Sequence, residues 1–219
     1  MKAMDLLNEA LVALRKTDTV SAARSFMAEQ GVTELPVLDK LDLYNYARTV
    51  LLTDVPGDTK LEEIIPYNPH APRVSMDAHL YEIVPVFAAN DLQVLAVFNQ
   101  KNEFTGIVDQ KSIHKNISQS LTYKGIGAVV VLEVKPNDFA PSHIARMVEE
   151  NGAKVLGMMV DNTEENSLRI NLKLNTTRVK NIVATFNRFG MKVTGCFMAE
   201  DFDNGSEREF ESVLRFFDI

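Results

Sequence analysis

The chain has 219 residues, 46% of them hydrophobic and 24% charged, with a formal charge of -7 at neutral pH. This is the composition of a globular protein with room for two small cores, and its acidic balance disfavours tracking along a phosphate backbone while leaving space for a local basic pocket. One cysteine, Cys196, excludes an intrachain disulfide and a thiolate metal cage, and apolar runs such as AVVVL at 128–132 fall far short of the roughly 20 residues that span a bilayer.

In chain order, Leu7, Ala10, Leu11 and Leu14 fall at helical spacing and predict a helix over 4–14. This N-terminus lacks the uninterrupted apolar core and cleavage site of a signal peptide, so a cytoplasmic location is expected. Thr17, Asp18 and Thr19 offer a cap for a second helix carrying Val20, Ala23, Phe26 and Met27, which Gly31 stops. A strand over 34–38 follows, with Pro36 at an edge position. The segment 40–53 reads as a strand running into a helix, without the expected glycine turn. Pro56, Pro66, Pro69 and Pro72 mark 55–72 as a crossing. Beyond it come a helix over 80–89, a strand over 94–98, a turn at 99–103 and a return strand over 104–108, after which Asp109 caps a helix through Asn116.

Part of this order occurs twice. Residues 17–39 align without a gap on residues 77–99: Val20 falls on Leu80, Ala23 on Ile83, Phe26 on Val86, Met27 on Phe87, Val32 on Leu92, Leu35 on Leu95, Val37 on Val97 and Leu38 on Phe98. A copy that cannot bury its own apolar face implies a partner copy that covers it.

From Lys124 the pattern changes. A strand over 127–134 precedes a helix over 139–151 with Ile144, Met147 and Val148 inward and Gly152 as its stop. A strand over 153–161 and a polar turn lead to 168–174, where Leu168, Ile170, Leu172 and Leu174 alternate with Arg169, Asn171 and Lys173. Asn175, Thr176 and Thr177 offer caps for a helix with Val179, Ile182, Val183, Phe186 and Phe189, ended by Gly190, and a strand over 191–198 closes the set. The order β-α-β-β-α-β predicts a ferredoxin-like sandwich. In the tail, Phe210, Val213, Leu214 and Phe217 predict a C-terminal helix that packs on its own domain or docks on a partner protein.

The doubled order of helix, strand, turn, strand and helix, with LPVLD at 35–39, resembles the paired cystathionine-beta-synthase (CBS) domains over about 1–120. The second half, over about 125–198, resembles an ACT domain. The expected fold class is α+β: a CBS-domain pair of two βαββα-type repeats with pseudo-twofold symmetry over 1–122 (repeat one about 1–65, repeat two about 66–122). An ACT-like ferredoxin domain with a C-terminal helix then fills 123–219.

The CBS resemblance implies ligand sensing, with an adenosine nucleotide such as AMP or ATP in a cleft between packed sheets. The candidates it suggests are Thr19, Leu35, Pro36, His79, Leu95, Ala96, Asp109 and Ser112. In that family a strand ends in Gly, two apolar residues, Thr or Ser, two more residues and Asp; the hydroxyl meets phosphate and the carboxylate grips the ribose. Here Gly106, Ile107 and Val108 fit, Asp109 stands at the hydroxyl position and Ser112 at the carboxylate position, with Lys111 and His114 nearby as compensating cations. Tyr46 and Thr49 are the nearest equivalents in the first copy. The ACT resemblance implies an amino acid at the turn 135–142, with Asn137, Asp138 and Phe139 as candidates, and a homodimer formed by sheets side by side.

Catalysis has no support. His70, His79, His114 and His143 show no metal-ligand spacing, no Ser-His-Asp or His-Cys arrangement is suggested, GIG at 125–127 lacks a third glycine, and Cys196 reads as a packed thiol. No cofactor is implied. The expectation is a non-catalytic, cytoplasmic regulatory protein that senses a small metabolite. The alternative is an oligomeric structural or adaptor protein with degenerate pockets. A third reading, RNA binding, draws on Lys135, Arg146, Lys154, Arg169, Lys173, Arg178, Lys180 and Arg188, but the strand 168–174 offers no aromatic on which a base would stack.

Overall fold

The computed structural model describes residues 1–163 and 166–198, so the expected C-terminal helix over 199–219 lies outside the described residues. The chain divides into two compact units, Met1–Ile117 and Ser118–Ile219.

In the first unit the elements run β1 (Leu14–Arg15), α1 (Val20–Gln30), β2 (Glu34–Asp39), β3 (Asp42–Arg48), α2 (Thr49–Leu52), α3 (Leu61–Ile64), β4 (Arg73–Ser75), α4 (Leu80–Asn90), β5 (Val94–Phe98), β6 (Phe104–Asp109) and α5 (Gln110–Ser118). They form two three-stranded sheets, ordered β1-β2-β3 and β4-β5-β6. The register repeats with the sequence. Leu14 pairs with Val37 in one sheet and Val74 with Val97 in the other, each 60 positions on. Both hairpins bulge at the same place, Val37 facing Asn45 and Leu38 facing Leu43, Val97 facing Gly106 and Phe98 facing Phe104. The return strands are therefore offset by 61, one hairpin being a residue longer than the other.

Local signals explain the ends. Thr19 Oγ1 accepts from the Ala22 amide at the start of α1, and Gly31 ends it in the left-handed region. At the matching points of α4, His79 Nδ1 accepts from the Tyr81 amide, Glu82 reaches back to the His79 amide, and Asp91 takes the left-handed conformation. The turn without a glycine is made by Lys40 at φ 57. Pro36 lies in the central strand of its sheet, not at an edge. Because β1 pairs only with Val37 and Leu38, its missing N–H removes no ladder bond. Phe26, expected in the core, is 38% exposed, while Val20, Ala23 and Met27 are buried.

The helix expected over 4–14 does not form. Ala3–Leu6 makes one 3-10 turn, after which the Asn8 amide donates to the Ile107 carbonyl (2.8 Å) and Leu7 bridges Val108. The leucine spacing serves burial instead: Leu6, Leu11 and Leu14 are buried on an extended path, and Ala10 is exposed. The same path occurs 60 residues later. The Asn68 amide donates to the Tyr44 carbonyl (3.0 Å). Asn8 and Asn68 each accept, through Oδ1, from the amide two residues on, Ala10 and His70, at 3.0 Å. Each copy's leading segment thus lies on the return strand of the other copy, and both copies share one apolar core.

The second unit contains α6 (Leu121–Lys124), β7 (Ala128–Val134), α7 (Pro141–Glu150), β8 (Val155–Asn162), β9 (Leu168–Leu174), α8 (Lys180–Arg188) and β10 (Lys192–Met198). Its antiparallel sheet is ordered β10-β7-β9-β8, the ferredoxin-like arrangement of a β-α-β-β-α-β chain. Val130, Leu132, Ile170 and Leu172 face Ile144, Val148, Ile182 and Phe186 in a single core. Two boundaries differ from expectation. Pro136–Asp138 takes a 3-10 turn, so α7 starts at Pro141, and Val179 precedes α8 without a side-chain cap, Thr176 accepting instead from the Arg178 amide. Phe189, expected inward, is exposed.

Candidate functional site

Asp109 stands at the end of β6, 4% exposed, with both oxygens occupied. Oδ1 accepts from the Ser112 amide (2.9 Å), capping α5, and Oδ2 accepts from Asn8 Nδ2 (3.1 Å). Lys111 and His114 are exposed and Ser112 is half-buried. In the first copy Glu34 faces Arg48 as Val94 faces Asp109, so Arg48 occupies the Asp109 position and Leu51 that of Ser112. Tyr46 and Thr49 then correspond to Ile107 and Gln110, the first two steps before the hydroxyl position and the second one step after it. Neither copy sets a hydroxyl and then a carboxylate at the places where the family pattern has them.

The other candidates are spread through the unit. Thr19 and His79 cap two different helices, and Leu35, Pro36, Leu95 and Ala96 are buried in the two central strands. Around these strands lies a polar join that the sequence did not reveal. Tyr46 donates to the Pro72 carbonyl (2.7 Å) and accepts from the Ala96 amide (3.0 Å). Glu34, 4% exposed, accepts from the Gln93 amide and pairs with Arg48 Nε at 3.3 Å, while Arg48 Nη2 donates to the Asn90 carbonyl (3.1 Å). Burial pushes the Glu34 carboxyl above its ordinary value, opposed by the Gln93 amide and the Arg48 charge. Burial likewise pushes the Tyr46 phenol up.

A cavity of about 740 Å³ lies between 4–15, Leu38, Lys40 and Phe104–Ile107. None of the eight nucleotide candidates lines it; Asn8 in its wall donates to Asp109.

The second unit holds a larger hollow of about 1350 Å³, open to the surface, between the end of β7 with its following turn, α7, and the entry to β10. Asn137 and Asp138 line it and Phe139 does not. Lys192 Nζ meets Glu133 Oε2 at 2.9 Å, and Ser167 Oγ donates to Glu133 Oε1 at 2.9 Å. The hydrogen bond from Lys192 holds the Glu133 carboxyl below the usual carboxylate range. Lys135, His143, Met147, Phe189 and Met191 complete the wall. Glu133 and Lys192 were not named from the sequence, and His143 was weighed there only as a metal ligand. A usable signal existed for two of them: in this topology the first and last strands are neighbours, so a Glu at the end of one meets a Lys at the start of the other.

Among the described residues no group of three His, Cys, Asp or Glu could hold a metal ion, and no helix is long and apolar enough to cross a membrane. Cys196 is a buried thiol whose pKa burial raises.

No family model and no curated protein matches the chain. Solved structures do. Protein MJ1004 from Mathanocaldococcus jannaschii superposes with a TM-score of 0.51 at 17% identity, over 56% of this chain and 62% of that one, so the match leaves more than a third of that protein uncovered. A CBS domain pair/ACT domain protein, TM0892 from Thermotoga maritima, superposes with a TM-score of 0.50 at 15% identity, over 55% of this chain and 99% of that one. Both alignments take in a little over half of this chain, about the share that the first unit makes up. With its doubled register and swapped leading segments, the first unit has the fold of a CBS-domain pair.

Proposed function

We propose that the chain is a non-catalytic, cytoplasmic regulatory protein that senses a small metabolite, and that this ligand is a zwitterion of the amino-acid class held in the hollow of the second unit. The supporting observation is that one concave space gathers cations and carboxylates around an apolar wall: Lys135 and Lys192, Glu133 and Asp138, Met147 and Met191. A few convergent polar groups on an apolar lining is the usual build of a small-molecule site. The adenosine-nucleotide reading of the first unit is the weaker one. A buried carboxylate, Asp109, stands where a phosphate would be met, and an anion aimed at a phosphate costs affinity.

The test is a thermal-shift and calorimetric screen with the amino acids, AMP, ATP, S-adenosylmethionine and NAD. Binding at a hundredfold excess over the dissociation constant stabilises by about 2.7 kcal/mol. An amino acid is expected to shift the second unit's transition, and Asp138→Ala to remove that shift while Asp109→Ala leaves it. A flat response to every amino acid sinks the proposal and favours the adaptor reading. A response to nucleotides alone returns the site to the first unit.

A further inference from the structure

α7 and α8 cover one face of the second unit's sheet; the other face carries a pattern. Side chains alternate along each strand, and since Val130, Leu132, Ile170, Leu172, Val193 and Cys196 point into the core, their neighbours point away. The register places these outward residues in rows across β10, β7, β9 and β8. One row reads Lys192, Glu133, Arg169, Asp161, with signs alternating from edge to edge. The next reads Gly195, Val131, Asn171, Met159, and the last Phe197, Val129, Lys173, Gly157. Met159 is 54% and Phe197 61% exposed. Among the described residues, Thr122 of α6 covers the corner at Gly157, its Oγ1 donating to the Leu156 carbonyl (2.9 Å), and the Phe197 ring lies over Gly195 beside Val131, which is 7% exposed.

From this pattern we infer that the open sheet face is a self-complementary surface that binds a second copy of this chain, about a twofold axis parallel to the strands between β7 and β9. Rotation about that axis keeps each residue in its row and exchanges β7 with β9 and β10 with β8. Glu133 then faces Arg169 of the second copy, Lys192 faces Asp161, and Met159 faces the Phe197 ring that lies over Gly195. Every charge in the first row meets its opposite, and a thioether meets an aromatic ring. The other in-plane axis, across the strands, sets Arg169 against Lys173 and Glu133 against Val129, so the charges select one orientation. Isologous pairing of one patch with itself is the commonest route to a dimer. It differs from the edge-to-edge arrangement that the ACT resemblance implies, and it does not depend on the ligand proposed above.

Strands of seven residues in β7, β9 and β10 and eight in β8 give a face of roughly 23 by 19 Å at a rise of about 3.3 Å and a spacing of about 4.8 Å. That is a small interface, and a dimer that dissociates at micromolar concentrations is expected.

The experiment is sedimentation velocity on the full chain across that range, with three variants: Asp161→Lys, Lys192→Asp, and both together. Lys192 and Asp161 sit on opposite edges of one sheet, three strand spacings or roughly 14 Å apart, so within one copy they cannot pair. The expected result is that each single reversal weakens the dimer at least about tenfold, because it turns two attractions per dimer into repulsions, and that the double exchange recovers most of the loss. Circular dichroism melts identify any variant that fails to fold, and Phe197→Ser, which leaves the charges intact, is then expected to weaken the dimer on its own. A monomer at every concentration overturns the proposal, as does a dimer indifferent to these changes or a double exchange no better than the singles. A wild-type monomer that associates only after truncation following Met198 also overturns it, because residues 199–219 would then be the occupant.

Discussion

Removing one oxygen atom, by Tyr46→Phe, tests whether the two copies of the first unit are joined by the bond from β3 to the central strand β5. The Tyr46 hydroxyl is the partner of the Ala96 amide, and Ala96 is fully buried. Phenylalanine fills the same space, so no cavity term enters, and a ring without a hydroxyl is easier to desolvate. Against that, the Ala96 N–H is left with no acceptor inside the core and the Pro72 carbonyl loses its donor. An unsatisfied buried amide costs about 1–3 kcal/mol, which outweighs the gain, so the expected loss is about 2 kcal/mol. The chain has no tryptophan, so urea unfolding is best followed by far-UV circular dichroism. With two units two transitions are expected, and the first unit's is the one that Leu35→Ala moves, since Leu35 is in its core. At a slope of about 2 kcal/mol per molar urea the midpoint falls by about 1 M with the slope unchanged. A shift below about 0.25 M, or one that appears only in the other transition, would refute the join.

Glu34 gives a pH test. Its carboxyl is raised by burial above the ordinary 4.5, so the folded state holds the proton more tightly than the unfolded one, and the contribution of that proton is full below the unfolded value and lost as pH rises through the folded one. The stability of wild type relative to Glu34→Gln is therefore expected to grow as pH falls from 7 towards 4; a difference that shrinks would mean that the Arg48 pair outweighs desolvation. Gly127→Ala is expected to cost more than about 4 kcal/mol and to abolish the second unit's transition, because φ there is 152 and an added Cβ would lie 1.9 Å from the Leu174 carbonyl oxygen. A melt within a few degrees of wild type would show that the two strands are not held that close.

What the sequence shows and what it hides follow from the range of the interactions. Caps and stops are local: Thr19 accepting from the third amide on, Gly31 in the left-handed region, and alternation from Leu168 to Leu174 were all readable. Helical spacing in 4–14 misled, because periodicity records which residues are buried and not what buries them, and here the cover is the return strand of the other copy. The repeat itself contained the correction. Extended upstream at the same offset, it sets Asn8 on Asn68 and Leu14 on Val74, and the second of these segments holds Pro66, Pro69 and Pro72, which no helix would accommodate. The Glu34 join was hidden for a different reason: its symmetry mate is Val94, so no pattern at offset 60 points to a charge there.

That asymmetry bears on how the first unit could respond to anything. Were the copies tied only by apolar contact, they could slide or rock over one another with little change in buried area. Instead, parting them breaks the bonds from the Ala96 amide to Tyr46, from the Gln93 amide to Glu34 and from Arg48 to the Asn90 carbonyl, and it also uncovers β3 and β6, whose edges are held by Asn68 and Asn8 of the opposite leading segments. Each bond contributes about 0.5–1.5 kcal/mol net, and because the groups share one interface they are lost together and with its apolar burial. A metabolite-sized ligand shifts an equilibrium only by its differential affinity for two states, a few kcal/mol at most for ordinary binders. Separation of the copies exceeds that scale, so a response in this protein has to work through an element held by fewer buried polar bonds, such as the turn at 136–138 that leads into α7 beside Asp138.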